Sequence, residues 1–173
     1  MFEEHLSAAE ACDAVLRDNL FGLELDERCT QIAAFALAMS AWTFPGAGHY
    51  RSLPSVHVAC SGLAPGSSRD SWLNMAGENS RLRKGMDRLY SLFENAPSLG
   101  SLIDPSRVQA EVFSAGFEDL KPLLDAALHA DMGAGDFDRA ELAVAARGIA
   151  DAAGILGRRF HLVVTNVPYL KRG

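Results

Sequence analysis

Two short stretches of the sequence carry residue types that can do chemistry. The first is Leu162-Val163-Val164-Thr165-Asn166-Val167-Pro168-Tyr169. The apolar run predicts a buried strand over residues 160–165. A strand that ends in Asn, one residue, Pro and an aromatic places an amide, a rigid carbonyl and a ring at the carboxyl edge of a sheet, where open α/β folds bind ligands. That set suits methylation of an exocyclic amine. The amine lone pair is delocalised into its ring and attacks poorly. Two acceptors on its N–H bonds, the Asn166 side-chain oxygen and the Val167 backbone carbonyl, would draw the nitrogen toward tetrahedral geometry, while Tyr169 would stack on an extruded base. The same four residues also read as a turn that closes a strand.

At this point the sequence resembles the N6-adenine DNA methyltransferases, whose catalytic motif is Asn or Asp, Pro, Pro, then Tyr or Phe at the end of the fourth strand. Val167 departs from the pattern by standing in the place of the first proline. The family uses the backbone carbonyl there, which valine has, and Pro168 still restricts Val167 to extended conformations. The second stretch, Leu20-Phe21-Gly22-Leu23-Glu24-Leu25-Asp26, looks like the family's second motif, a hydrophobic strand ending Gly-x-Glu-x-Asp. A carboxylate at such a strand end can accept both ribose hydroxyls of a nucleoside cofactor. The resemblance implies that Glu24 holds the ribose of S-adenosylmethionine and Leu25 packs on its adenine. Asp26 is assigned to the same cofactor motif, with an N-cap as its preferred role; Glu24 also reads as a solvated strand-end acid.

The resemblance extends to Leu99-Gly100-Ser101-Leu102-Ile103-Asp104-Pro105 and to His57-Val58-Ala59-Cys60, which are similar to the large methylases of type IIG restriction-modification enzymes and of BREX-type phage-exclusion systems. Those proteins carry a long helical insertion between the third strand and the catalytic motif. Two departures stand out. Cys60-Ser61-Gly62 occupy the place where many members have an acid or amide near the cofactor's adenine. The glycine-rich loop expected about 20 or more residues before the ribose acid has no counterpart either, since residues 1–21 contain no glycine.

The elements that must position these residues fall into three blocks. In residues 1–68, Ser7-Ala8-Ala9-Glu10 is a capping-box pattern that predicts a helix from Ala8 to Asp18. Residues 20–25 form a buried parallel strand, Asp26 caps a helix from Glu27 to Trp42 whose apolar positions Ile32, Phe35, Ala36 and Met39 recur at helical spacing, and Ser55–Cys60 form a second strand. Strand, helix, strand in that order is a βαβ unit. Residues 69–157 carry no strand signal; helices are expected at 69–76, 81–94, 105–114, 117–130 and 139–156, the last with a cap-like start at Asp138-x-x-Glu141. Residues 158–173 hold the third strand and Asn166 to Tyr169. The expected fold class is α/β: a partial Rossmann-like class I methyltransferase sheet with a large all-helical insertion.

Composition bounds the rest. The chain has 173 residues, 49% hydrophobic and 22% charged, with a net charge of −6, a pI near 5.3 and a mean hydropathy of +0.04. These exclude a strongly basic nucleic-acid module as a description of the whole chain. The excess of positive charge lies beside the candidate motif: residues 158–173 hold four basic and no acidic groups. No apolar run reaches the roughly 20 residues of a membrane span, and Met1-Phe2-Glu3-Glu4-His5 is not a signal peptide. Three widely spaced cysteines, Cys12, Cys29 and Cys60, suggest reduced thiols and a cytoplasmic location. His49, His57 and Cys60 have no metal-ligand spacing, Trp42 and Trp72 read as packing residues, and Arg81, Arg83 and Lys84 as a solvated helix face.

Together these readings predict a central fragment of a DNA adenine-N6 methylase of a restriction-modification or phage-defence system. It would use S-adenosylmethionine, act on DNA in the full-length protein, and be inactive without the missing remainder of the methylase, namely its glycine-rich cofactor loop and target-recognition part. Exposed sheet edges would favour self-association. The alternative is a non-catalytic helical interaction module derived from such an enzyme.

Overall fold

The computed structural model describes residues 5–105, 122 and 137–165. The amino-terminal helix α1 (Ala8–Ala14) starts where Ser7 and Glu10 close a reciprocal capping box. The Glu10 backbone N–H donates to the Ser7 hydroxyl oxygen (3.3 Å), and the Ser7 N–H donates to the Glu10 carboxylate (2.8 Å). The helix widens into one π-helical turn, Val15–Asn19, before the chain extends into β1 (Phe21–Glu24). Asp26 caps α2 (Glu27–Thr43) by accepting the Arg28 N–H at 2.7 Å. Arg51 ties this block together, donating to Asp13 (2.6 Å) and to the Ala41 carbonyl (3.2 Å). The Trp42 indole in turn donates to the Arg51 carbonyl at 2.9 Å.

Strand β2 (His57–Cys60) pairs with β1 in parallel, Phe21 opposite His57 and Glu24 opposite Cys60. Helix, strand and connection thus form the expected βαβ order. The strand is half-buried rather than fully buried, because among the described residues β1 has a strand on one side only.

Among the described residues the further helices with stated bounds are α3 (Arg69–Asn74), α4 (Ser80–Phe93), the short α5 (Ala96–Leu99), which continues into a 3-10 turn at Gly100–Leu102, and α6 (Phe137–Leu156). Their apolar faces make one core with the sheet. Trp72, Met86, Leu89, Phe93 and Ile149 are fully buried, and Ala59 of β2 belongs to the same cluster. The Trp72 indole N–H donates to the Met86 carbonyl at 2.8 Å, so the largest side chain of the core leaves no polar atom unpaired. Alanine-rich α6 offers Ala143, Ala146, Ala150 and Ala153, small enough for its backbone to approach the strands closely.

Several expectations need correction. Residues 158–165 are not a strand. Leu162, Val163 and Val164 are 79%, 74% and 85% exposed, and the segment is held only at its start, where Phe160 and Arg158 meet the Phe21 ring at 5.5 and 4.7 Å. A strand exists only against another backbone, and among the described residues none lies beside this one. The apolar positions Ile32, Phe35, Ala36 and Met39 of α2 do form one helical stripe, and that stripe faces solvent. The side toward the sheet is the smaller set Ala33, Ala34, Leu37, Ala38 and Ala41. Asp138 lies within α6, which already includes Phe137, so it is not the N-cap. The helices expected at 105–114 and 117–130 fall almost wholly outside the described residues.

Candidate functional site

The candidate cofactor residues sit together at the carboxyl ends of the two strands, and the sequence locks that end locally. Ser61, buried immediately after β2, donates both its backbone N–H (2.7 Å) and its hydroxyl (3.2 Å) to the Glu24 carbonyl, while the Cys60 thiol donates to the Leu25 carbonyl at 3.3 Å. Both acceptors are main-chain atoms, so the Glu24 side chain is left to project outward. Its carboxylate is exposed and makes no hydrogen bond or ion pair among the described residues. A free carboxylate on a rigid strand end suits a pair of vicinal hydroxyls, which donate both their protons to it.

Two glycines shape the floor beneath Leu25. A Cβ on Gly62 would penetrate the Leu25 carbonyl oxygen and stand 3.0 Å from Leu25 Cδ1. One on Gly100, whose φ of +51° also disfavours other residues, would stand 2.9 Å from the same carbon. The Gly100 turn belongs to the Leu99–Pro105 stretch and therefore packs directly on the residue that follows the candidate ribose acid. The side chain of Leu25 keeps more than half of its surface open, so an apolar face beside Glu24 remains available to a flat ring.

Asp26, by contrast, is committed to its backbone: the carboxylate accepts the Arg28 N–H, which makes it the N-cap of α2. Asn166, Val167, Pro168 and Tyr169 lie outside the described residues. Ser61 and Gly62 are structural residues whose roles sequence reasoning did not assign; the only signal was a Cys-Ser-Gly run directly after a strand. His57 stacks on Phe21 at 4.8 Å between ring centroids, a packing role, and His161 is exposed. Cys12, Cys29 and Cys60 are free thiols, and no group of three metal-ligating side chains occurs among the described residues. At the opposite, amino-terminal end of the strands an open cleft of about 510 Å³ is lined by Phe21, His57, Arg147, Asp151 and Arg158. Among the described residues no helix is long and apolar enough to cross a membrane.

The strand-end acid and the open apolar floor beside it belong to a chain whose sequence is similar to part of one methyltransferase. The relative is the adenine-specific methyltransferase BrxX of Escherichia coli O9:H4 (strain HS), 27% identical over 176 aligned residues. The match covers 90% of this chain but only 14% of that protein, so the chain spans a small part of its relative's length. No protein-family model matches the chain, and no solved structure does.

Proposed function

We propose that the chain is a segment of an S-adenosylmethionine-dependent methyltransferase that methylates adenine N6 in DNA, within a restriction-modification or phage-defence system. The supporting observation is the alignment with an adenine-specific methyltransferase along 90% of the chain. The residues at the strand ends fit the cofactor: an unpartnered carboxylate at Glu24 for the ribose hydroxyls and an open Leu25 side chain for the adenine. When bound, the cofactor supplies an electrophilic methyl group on a sulfonium. Glu24 orients it through the ribose, and the lock between Ser61 and the Glu24 carbonyl keeps that carboxylate in place.

On the substrate side, the Asn166 side-chain oxygen and the Val167 carbonyl accept the two N–H bonds of the target amine, which localises its lone pair. By its sequence position Pro168 restricts the preceding Val167 to extended conformations, and Tyr169 is the ring assigned to stack on the base. On this reading the free edge of β1 is completed by the remainder of the methylase, since the chain spans only 14% of its relative's length. Asn166→Ala, placed in the protein that contains this chain with its flanking segments, tests the assignment. Methyl transfer to adenine should be lost with cofactor affinity nearly unchanged; retained turnover would refute the role given to Asn166.

A further inference from the structure

Helix α2 is apolar on both faces, which a helix at a water boundary is not. Its inner face lies beside β1 through Ala33 and Leu37 and is buried at Ala41, next to Leu16 of the amino-terminal block. Its outer face carries Ile32, Phe35 and Met39 at 67%, 64% and 40% exposure, with Ala36 between them. Among the described residues no other helix carries such a stripe: Leu102 and Val144 are exposed singly, and the large side chains Trp72, Met86, Leu89, Phe93 and Ile149 are closed into the core. A helix that is apolar all round belongs in an interior, so this outer face is built to be covered.

We propose that it is covered by the same face of a second copy of this chain, with the two α2 helices antiparallel about a two-fold axis near Phe35. The residue order supports that occupant. In this register Ile32 falls opposite Met39 of the partner subunit, and Phe35 falls opposite Ala36 of the partner subunit, a ring against a small residue, so large and small side chains alternate across the axis. Arg28 falls opposite Thr43 of the partner subunit, at the carboxyl end of the helix. That end has no basic residue in its last turn, while Arg28 is exposed and without an ion pair among the described residues. Arg51 already takes the Ala41 carbonyl at that end, so the Arg28 guanidinium would meet the helix dipole and the last carbonyls that Arg51 does not reach, and the two-fold axis makes the contact twice.

The face offers on the order of 500 Å² per copy, or about 1,000 Å² for the pair, the lower end for a specific interface. Area does not set affinity, but an interface this small fits a weak, concentration-dependent dimer. The inference is independent of the methyltransferase reading and differs from association through the β1 edge.

Sedimentation velocity on the intact chain, from low micromolar to several hundred micromolar, tests it. The wild type should shift from monomer to dimer across that range. Ile32→Glu and Phe35→Glu should each raise the dissociation constant at least tenfold with helical circular dichroism unchanged. Arg28→Glu should raise it several-fold, and Leu162→Glu, on the exposed segment away from α2, should leave it unchanged. A wild type that stays monomeric throughout, with the stripe left for some other polypeptide, would overturn the proposal. So would a dimer that survives both glutamates, or one that Leu162→Glu alone dissolves.

Discussion

Gly62→Ala is the smallest change that should disturb the candidate site. The new methyl group would overlap the Leu25 carbonyl oxygen and approach Leu25 Cδ1 to 3.0 Å. Leucine can swing its side chain, but the carbonyl is main chain and must retreat by about 1 Å to reach an ordinary carbon–oxygen contact. That retreat pulls on the Ser61 hydrogen bonds to the Glu24 carbonyl at 2.7 and 3.2 Å, because Glu24 and Leu25 are consecutive. Two weakened hydrogen bonds at about 1 kcal/mol each, with modest overpacking strain, come to roughly 2–4 kcal/mol. For a chain of this size that lowers the Tm by roughly 5–15 °C. Differential scanning calorimetry measures it, with Gly66→Ala as the control, since a Cβ there meets nothing within 4 Å. Gly62→Ala with wild-type stability would refute the claim that a close backbone approach locks the strand end.

Other perturbations probe the supports of the same frame. Trp72→Ala should cost about 3–5 kcal/mol in urea denaturation, as it empties the centre of the core and leaves the Met86 carbonyl without its indole donor. Asp26→Ala should cost about 1 kcal/mol by the same assay through loss of the α2 cap, while Asp26→Ser, which keeps a capping oxygen, restores most of it. Glu10 is held below the usual carboxylate range, first by the Ser7 hydroxyl and then by the Ser7 N–H, so its contribution to stability is present above the ordinary glutamate pKa and lost as pH falls through the lowered one. The Ser7→Ala variant should accordingly show a flatter acid limb in a pH series of thermal melts, and an unchanged limb would count against the capping box.

Much of this frame was legible because its determinants are local. Ser7 with Glu10, and Asp26 before an apolar helix, specify helix starts within three or four residues. A glycine-containing apolar run ending in acid specified a parallel strand and the position of Glu24. What was not legible depends on distant partners. Residues 160–165 have the composition of a buried strand, but a strand also needs a neighbouring backbone, and composition does not report one. The spacing of Ile32, Phe35 and Met39 identifies a helical stripe without saying whether it faces the sheet or the opposite side. Here alanines took the inner position, since their small size suits a helix lying close on two strands. The lock formed by Ser61 and Gly62 was hidden for a similar reason: its donors and its steric limit act on Glu24 and Leu25, more than thirty residues away in sequence.

The central claim is that Glu24 at the carboxyl end of β1 holds the ribose of S-adenosylmethionine. Isothermal titration of that cofactor into the protein containing this chain and its flanking segments, as wild type and as Glu24→Gln, tests it most directly. Exchanging the carboxylate for an amide weakens charge-assisted hydrogen bonds worth about 1.5–3 kcal/mol, so the dissociation constant should rise roughly ten- to a hundredfold. Equal affinities in the two proteins, or no binding by the wild type, would contradict the account.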